Sequence, residues 1–321
     1  MPVNPRPLLV ITGPTGIGKT DLAMVLGTES PLRLISADSV MVYQHLDIGS
    51  AKPTAEELAA CPHELIDLFP PEHAFDAGQF VTHAKMLIQS AWNRDEVPCL
   101  VGGTIMYLKS LIDGLDTLPA ADPVIREKIR LKAELEGWPA IHSWLHKLDP
   151  EAADLIHPNH SSRIERALEV RLVTGESICS FWSHGQADNS IVGRAVDLSV
   201  LAMVPSDREQ LKDRLNRRFD LMLQRGFEAE VEMLRQRPAL TLDCPSMRSV
   251  GYRQMWQYLD GDLSENEMKD QTKAATRQLA KRQLTWLRSW RADTNTLIEV
   301  SNSTPVEQGK VWLSGVLDRV F

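Results

Sequence analysis

GPTGIGKT, residues 13–20, follows directly on the apolar run Leu8-Leu9-Val10-Ile11. The octapeptide fills every fixed position of G-x-x-x-x-G-K-[ST] at the end of a predicted strand, where a phosphate-binding loop belongs. Gly13, Gly16 and Gly18 let the backbone curl until successive N–H groups face one anion, with Pro14, Thr15 and Ile17 between them. Lys19 adds a point charge, and Thr20 offers a hydroxyl to a Mg²⁺ that bridges phosphates. A helix opening near Lys19 aims its positive end at the same place. The motif establishes a phosphate or pyrophosphate ligand but not whose phosphate it is.

Around this loop the chain alternates strand and helix. Leu8–Thr12 reads as a strand, Thr20–Gly27 as a helix, Arg33–Ala37 as a second strand ending at Asp38, and Glu64–Leu68 as a short strand-like run. Ala77–Asn93 carries helical apolar spacing; Pro98–Gly103 is a buried strand, followed by a helix through Tyr107, Leu108 and Leu111. Strands separated by helices of this length predict a parallel, doubly wound α/β sheet of the P-loop type. Ligands in such sheets lie at the carboxyl ends of the strands, where Thr12, Asp38 and Gly102–Thr104 fall. After LDTLPAADP (115–123) the chain turns helical and charged, with Trp138, Trp144, Leu145, Ile164 and Leu168 as core candidates. Residues 118–200 are expected to form a helical insertion, with 1–117 and 201–321 as the catalytic core. Leu198–Val204 returns as a strand, and 206–236, 246–259 and 264–290 read as helical.

Composition sets bounds. The 321 residues are 43% apolar, enough for a large core, and no apolar run reaches the roughly 18 residues of a membrane span. Cys61, Cys99, Cys179 and Cys244 are scattered without a C-x-x-C pair, which points away from zinc and disulfides and toward a reducing cytoplasm. The net charge of −8 argues against a polyanionic partner, but its distribution argues the other way. Residues 271–291 hold Lys273, Arg277, Lys281, Arg282, Arg288 and Arg291 and no acid. Lys273, Arg277, Lys281 and Arg288 share one helix face, while Leu279, Leu284, Leu287 and Trp290 turn elsewhere, toward a core. Arg163, Arg166 and Arg171 cluster on a second helix, and Arg248, Tyr252, Arg253 and Gln254 on a third segment. Arginine beside tyrosine suits phosphate contact and base stacking, although Tyr252 and Trp256 equally suit a helix core.

The strand CLVGG ends in Gly-Gly-Thr rather than the aspartate that organises metal and water in nucleotide hydrolases. Asp38, at the end of LISAD, has three readings: a metal ligand through water, a proton acceptor, or a cap for the next helix. Group transfer therefore fits the sequence better than hydrolysis of a nucleoside triphosphate.

ISADSVMVYQHLDIGSAKP (35–53), LVGGTIMYLKSL (100–111), HPNHSSRIERALEV (157–170), RFDLMLQRGFEAEV (218–231), SVGYRQMW (249–256) and ATRQLAKRQLTWLR (275–288), with the glycine-rich loop, make the chain similar to the bacterial tRNA dimethylallyltransferases. The resemblance runs from residue 8 to about 290. It implies transfer of a dimethylallyl group from dimethylallyl diphosphate to the exocyclic amine of adenosine 37, beside the tRNA anticodon, with Mg²⁺ as cofactor and no nucleoside triphosphate. Under it, Asp38 is the general base and Thr104 meets the bridging oxygen or the pyrophosphate. Lys19, Thr20 with Mg²⁺, and Arg218 hold the leaving group, with residues Gly13 to Thr20 as its cradle. Contact with the anticodon stem-loop is implied at Asp38, Ser39, Val40 and Met41; at Thr104; at Arg126; at Arg163, Ile164, Glu165, Arg166 and Ala167; at Arg248, Ser249, Val250, Gly251, Tyr252 and Arg253; and at Lys281, Arg282, Gln283, Leu284, Thr285, Trp286, Leu287 and Arg288. The implied form is a cytoplasmic monomer without a membrane partner. Met41 stands where many relatives carry Gln, Ser50 where Thr is usual and His160 where Asp is frequent, and no cysteine follows Cys244 to build the zinc finger of eukaryotic members. Rival readings are an isopentenyltransferase acting on free AMP or ATP, a small-molecule kinase, and an RNA-binding protein with a vestigial loop. The insertion and the basic helix favour tRNA as acceptor.

Overall fold

The computed structural model describes residues 5–114, 118–184, 191, 196–289, 295–300 and 305–320. Two compact units emerge, one comprising Met1–Leu111 with Val192–Phe321, the other Ile112–Ile191.

The first unit is built on a parallel sheet. Strand β1 (Arg6–Thr12) leads through the loop into α1 (Lys19–Glu29), then β2 (Leu32–Ser36), α2 (Ala55–Ala60), the two-residue β3 (His63–Glu64), α3 (Ala77–Trp92), β4 (Val97–Gly102) and α4 (Ile105–Ile112). Glu64–Leu68 does not continue as a strand: Leu65 and Asp67 adopt φ of 62° and 54°, the left-handed region that breaks an extended run. Leu8 to Ile11 are wholly buried because helices cover both faces of the sheet.

The second unit is five helices: α5 (Pro123–Glu136), α6 (Trp138–Leu148), α7 (Pro150–Leu155), α8 (Ser161–Thr174) and α9 (Ile178–His184). Asp122-Pro123 and Asp149-Pro150 start two of them, the aspartate accepting from the first-turn N–H groups and the proline occupying a position that needs none. Ile129, Ile141, Leu145, Ile164, Leu168 and Ile178 form its own core, with Trp138 and Trp144 packed half-buried against it.

The chain returns to the first unit with β5 (Val196–Pro205), followed by α10 (Arg208–Gln224), α11 (Phe227–Arg235), α12 (Tyr252–Leu259) and α13 (Glu265–Ser289). Gly226, at φ 95°, separates α10 from α11 inside what reads in sequence as one helical stretch. Residues 246–251 are turns rather than helix. A sixth strand, β6 (Asn295–Val300), and a last helix, α14 (Pro305–Val320), lie beyond the elements expected from sequence. Trp312, Leu313 and Val316 of α14 pack with Leu22 and Leu26 of α1 in the main core.

The strand order is β3-β2-β4-β1-β5-β6, with every pairing parallel. Register then fixes the site. Thr12 pairs with Gly102 on one side and Ala202 on the other, and Ser36 pairs with Val101. The carboxyl ends of β1, β2 and β4 are therefore level, at the point where the strand order reverses. No helix among the described residues is long and apolar enough to cross a membrane.

Candidate active site

The loop between β1 and α1 is open to an anion. Gly18 caps α1 in the left-handed conformation (φ 99°) and supplies no side-chain acceptor. Among the described residues, the N–H groups of Gly16, Ile17, Gly18, Lys19 and Thr20 bond to no acceptor. That is a row of donors at the positive end of a helix. The Lys19 ammonium donates to the Pro14 carbonyl at 2.9 Å. Burial pulls its pKa down to about 8; the Asp38 carboxylate opposes the shift and Arg218 adds to it.

Helix α10 supplies the remaining positive charge. Arg214, Arg217 and Arg218, spaced three and one, line one cavity of about 490 Å³ with Gly18, Lys19, Thr20 and Asp38. Arg218 donates to the Thr15 hydroxyl at 2.9 Å. Burial lowers its pKa while Asp38 acts to restore it. Arg214 lies 3.4 Å from the Gly16 and Ile17 carbonyls. Arg218 was legible in sequence; Arg214 and Arg217 were not singled out, although their spacing puts all three on one helix face.

Asp38 closes a turn rather than capping a helix. Its Oδ1 accepts from Val40 N–H at 2.8 Å and Met41 N–H at 3.3 Å. The same carboxylate borders the anion cavity and a smaller neighbour. Thr104 is stitched beside it: its hydroxyl accepts from Ser39 N–H at 3.1 Å, and its own N–H donates to the Ala37 carbonyl at 3.2 Å. A side chain on Gly102 would sit 2.1 Å from the Ala37 carbonyl oxygen, so only glycine allows β2 and β4 to end this closely.

The smaller cavity measures about 100 Å³. Its walls include Leu215, Phe219, Met222, Phe227, Val250 and Leu279, and it shares Thr15, Asp38 and Arg218 with the anion cavity. Ser50, Thr272 and Thr276 line it as well, so an apolar wall faces polar groups in a chamber that adjoins the cationic one, with the carboxylate on the border of both. A buried glutamate holds part of the frame. Glu230 accepts from the N–H groups of Asp47, Ile48 and Gly49 at 2.7–3.1 Å and from the Tyr252 hydroxyl at 2.6 Å. Tyr252 is therefore an interior anchor with no exposed face, so the base-stacking reading fails for it and the core reading stands. Burial and the adjoining Glu230 carboxylate push its pKa up.

The side chains expected to meet an outside partner divide. Arg163, Arg248, Arg253, Lys281, Arg282, Thr285, Trp286 and Arg288 are exposed; Ser39, Val40, Met41, Ser249, Val250 and Leu284 are half-buried. Ile164, Ala167 and Leu287 are core side chains and Gly251 is buried, so these offer no side-chain surface. Of the basic face, Lys273 pairs with Asp220 at 2.6 Å and Arg277 with Asn216 at 3.2 Å, whereas Lys281 and Arg288 have no acidic partner among the described residues. These two line a cavity of about 300 Å³ with Arg208 and Lys212. The Lys109 ammonium lies 5.5 Å over the Trp286 ring. Trp290 and Arg291 lie outside the described residues.

In the second unit, Glu169 is wholly buried and binds Arg126 through two bonds of 2.8 and 2.9 Å, Arg166, and the Asp122 N–H at 2.7 Å. Burial acts to raise its pKa, but the two guanidinium groups outweigh it and hold the carboxyl below its ordinary value. Glu165 accepts from Arg130 at 2.7 Å.

For a metal, Thr20 and the carboxylates of Asp21 and Asp38 border the anion cavity. Among the described residues no three His, Cys, Asp or Glu side chains converge as a cage. Such a donor set fits a Mg²⁺ carried mainly by phosphate oxygens and water, and fits poorly any ion that requires a full protein shell.

Comparison with known proteins accords with this geometry. The model of the IPP transferase family matches residues 41–290. The chain is 46% identical over 310 residues to a tRNA dimethylallyltransferase 2 of Hahella chejuensis, covering 92% of this chain and 93% of the relative. It is 47% identical over 285 residues to a tRNA dimethylallyltransferase of Cupriavidus necator, covering 88% of each. Among solved structures, a tRNA isopentenylpyrophosphate transferase from Bacillus halodurans superposes with a TM-score of 0.69 at 34% identity, over 98% of this chain and 97% of that one. A eukaryotic dimethylallyltransferase acting on tRNA superposes with a TM-score of 0.79 at 25% identity, over 98% of this chain and 79% of that one.

Proposed function

The chain belongs to the IPP transferase family and transfers a dimethylallyl group to tRNA, and on that premise we propose that the donor is dimethylallyl diphosphate and the acceptor the exocyclic amine of adenosine 37. The observation that carries this reading is the shared border of the two cavities. The cationic chamber suits a diphosphate, and the wall of Leu215, Phe219, Met222, Phe227 and Leu279 in the other suits a short hydrocarbon.

The chemistry follows from the placement. The amine nitrogen attacks the first carbon of the allyl chain as the bond from that carbon to the diphosphate oxygen breaks, and the amine proton passes to Asp38. An aromatic amine is a weak nucleophile, so the rate depends on stabilising charge on the departing pyrophosphate. The open N–H groups of Gly16 to Thr20, with Lys19 and Arg218, are preformed for that charge. Thr104, whose hydroxyl holds Ser39 next to Asp38, is the proposed contact to the bridging oxygen. We propose Mg²⁺, held by Thr20 and the diphosphate, as the cofactor that neutralises further charge on the leaving group. The adenine must leave its stack to reach Asp38, and an unpaired loop beside the anticodon makes that step cheap. The exposed cations Arg163, Arg248, Arg253, Lys281, Arg282 and Arg288 are the proposed contacts to the anticodon stem-loop. The enzyme is proposed to act as a cytoplasmic monomer.

The test is incubation with radiolabelled dimethylallyl diphosphate and unmodified tRNA, beside a parallel reaction with AMP. Label in adenosine 37 of tRNA, and none in AMP, is expected. Label in AMP alone, or consumption of a nucleoside triphosphate with no prenyl transfer, overturns the proposal.

A further inference from the structure

Gln283 lies in the middle of the cation-rich turns of α13, between Arg282 and the half-buried Leu284, yet it faces the anion site. Its Oε1 accepts from Thr15 N–H at 2.8 Å. Its Nε2 donates to the Gly103 carbonyl at 2.8 Å. One side-chain amide thus ties the phosphate loop after β1 to the Gly-Gly-Thr turn after β4, across sequence separations of 268 and 180 residues.

Both partners adjoin groups the chemistry uses. Thr15 receives the Arg218 guanidinium on its hydroxyl at 2.9 Å. Gly103 precedes Thr104, whose hydroxyl holds Ser39 next to Asp38. An amide is the side chain that can close this gap without charge, since it presents an acceptor to one strand end and a donor to the other. It also takes the Thr15 N–H out of the anion-facing set, leaving the row from Gly16 to Thr20 for the ligand. Neither a cation nor an apolar residue satisfies both partners.

We propose that Gln283 is a positioning residue of the pyrophosphate cradle: it fixes Thr15 and the Gly103-Thr104 turn, and sets the affinity for the diphosphate group independently of tRNA. The inference rests on the assignment of the glycine-rich loop to a diphosphate, made under Proposed function. It separates Gln283 from its neighbours Lys281, Arg282 and Arg288, whose side chains are exposed.

Two substitutions test it in the full chain. Gln283→Met keeps length and helix propensity and loses both bonds; Gln283→Glu keeps an acceptor but places a negative charge beside an anion site. Binding of Mg-pyrophosphate is measured by calorimetry, and binding of an unmodified anticodon stem-loop separately. Losing two neutral hydrogen bonds predicts a pyrophosphate Kd about tenfold higher for Gln283→Met, with stem-loop Kd within about twofold of wild type. Gln283→Glu is expected to bind pyrophosphate more weakly still at pH 8, and to recover relative to wild type as pH falls toward 5. Protonation gives that carboxyl an O–H donor beside its carbonyl acceptor, as in the amide. A purely structural role produces no such pH-dependent rescue. Unchanged pyrophosphate Kd in both variants with weakened stem-loop binding overturns the inference and makes Gln283 an RNA contact. Failure of the wild-type protein itself to bind Mg-pyrophosphate overturns the cradle assignment, a result distinct from equal binding by wild type and variants.

Discussion

Asp38 divides its labour between two oxygens. Oδ1 holds the turn at Val40 and Met41, while Oδ2 bonds to no group among the described residues and is the oxygen proposed to meet the acceptor amine. Asp38→Asn keeps an acceptor for the turn but cannot take a proton at neutral pH. Its kcat should fall by about 10² to 10⁴, the usual worth of a general base, while stem-loop Kd stays within about twofold. Asp38→Ala should lose at least as much turnover, and loss of tRNA binding without a specific loss of kcat would remove Asp38 from the base role. Lys19 makes a second prediction through its proton. Its pKa is about 8 in the folded chain against an ordinary 10.5. Between those values the unfolded chain holds a proton that the folded chain lacks, so the stability of ligand-free protein rises with pH across that window. Over the same window the ammonium is lost from the cradle, so Mg-pyrophosphate affinity falls. Thermal melts and calorimetry from pH 7 to 10 should show these opposed trends, and Lys19→Met should abolish both. Lys19 stood out in the sequence because the glycine-rich loop packs its fixed residues into eight consecutive positions, and Asp38 because it ends a predicted strand. Glu230 was not legible: the three N–H groups it binds are 181 to 183 residues away, and nothing local marks a glutamate in an amphipathic helix as buried.

At the scale of elements, α13 reads in sequence as one basic face, and the structure splits that face in two. Lys273 and Arg277 are engaged by α10, through Asp220 and Asn216, whereas Lys281 and Arg288 have no such partners among the described residues. A cation already paired within the protein releases few counterions when RNA arrives; an unpaired one contributes its full share. Lys281→Ala and Arg288→Ala together should therefore weaken tRNA binding and reduce the slope of log Kd against log salt by roughly 0.7–0.9 for each phosphate no longer neutralised. Lys273→Ala should change the slope by less than either. Equal slopes for all variants, measured from 50 to 300 mM salt, would remove this helix from the RNA interface. The expected strands β1, β2, β4 and β5 all form, because each carries a buried apolar stretch, short in β2 (Leu34-Ile35) and longer in the others, that a sheet covered on both faces can bury. Other features lack local punctuation. The positive φ at Leu65 and Asp67 has no glycine to announce it, and β6 is a short edge strand whose partner, β5, is about a hundred residues earlier.

For the whole molecule, the change from alternating strands and helices to unbroken helices announces the second unit, and its separate core explains why that change is visible. The entry is marked by LDTLPAADP (115–123), close to the observed start at Ile112, whereas the return is marked only by the resumption of an apolar run in β5. The two units also carry different chemistry. The proposed diphosphate cradle and Asp38 belong entirely to the first, whereas Arg126, Arg163 and Arg166 belong to the second. Glu169 organises that second group: it is buried, it holds Arg126 through a two-bond fork, and it binds Arg166 and the backbone at the start of α5. Glu169→Ala removes that anchor from both guanidinium groups and from the Asp122 N–H, although Arg166 keeps its bond to the Pro119 carbonyl, and about 1–3 kcal/mol of stability should be lost. If the second unit serves RNA alone, the variant should bind the anticodon stem-loop about tenfold more weakly and raise KM for tRNA. Its Kd for Mg-pyrophosphate should remain within about twofold of wild type, because effects at sites without shared partners are independent. Glu169→Gln, which keeps the shape and one acceptor, should fall between the two. Loss of pyrophosphate binding in step with RNA binding, in protein still folded by circular dichroism, would show that the second unit also maintains the cradle and would refute this division of labour.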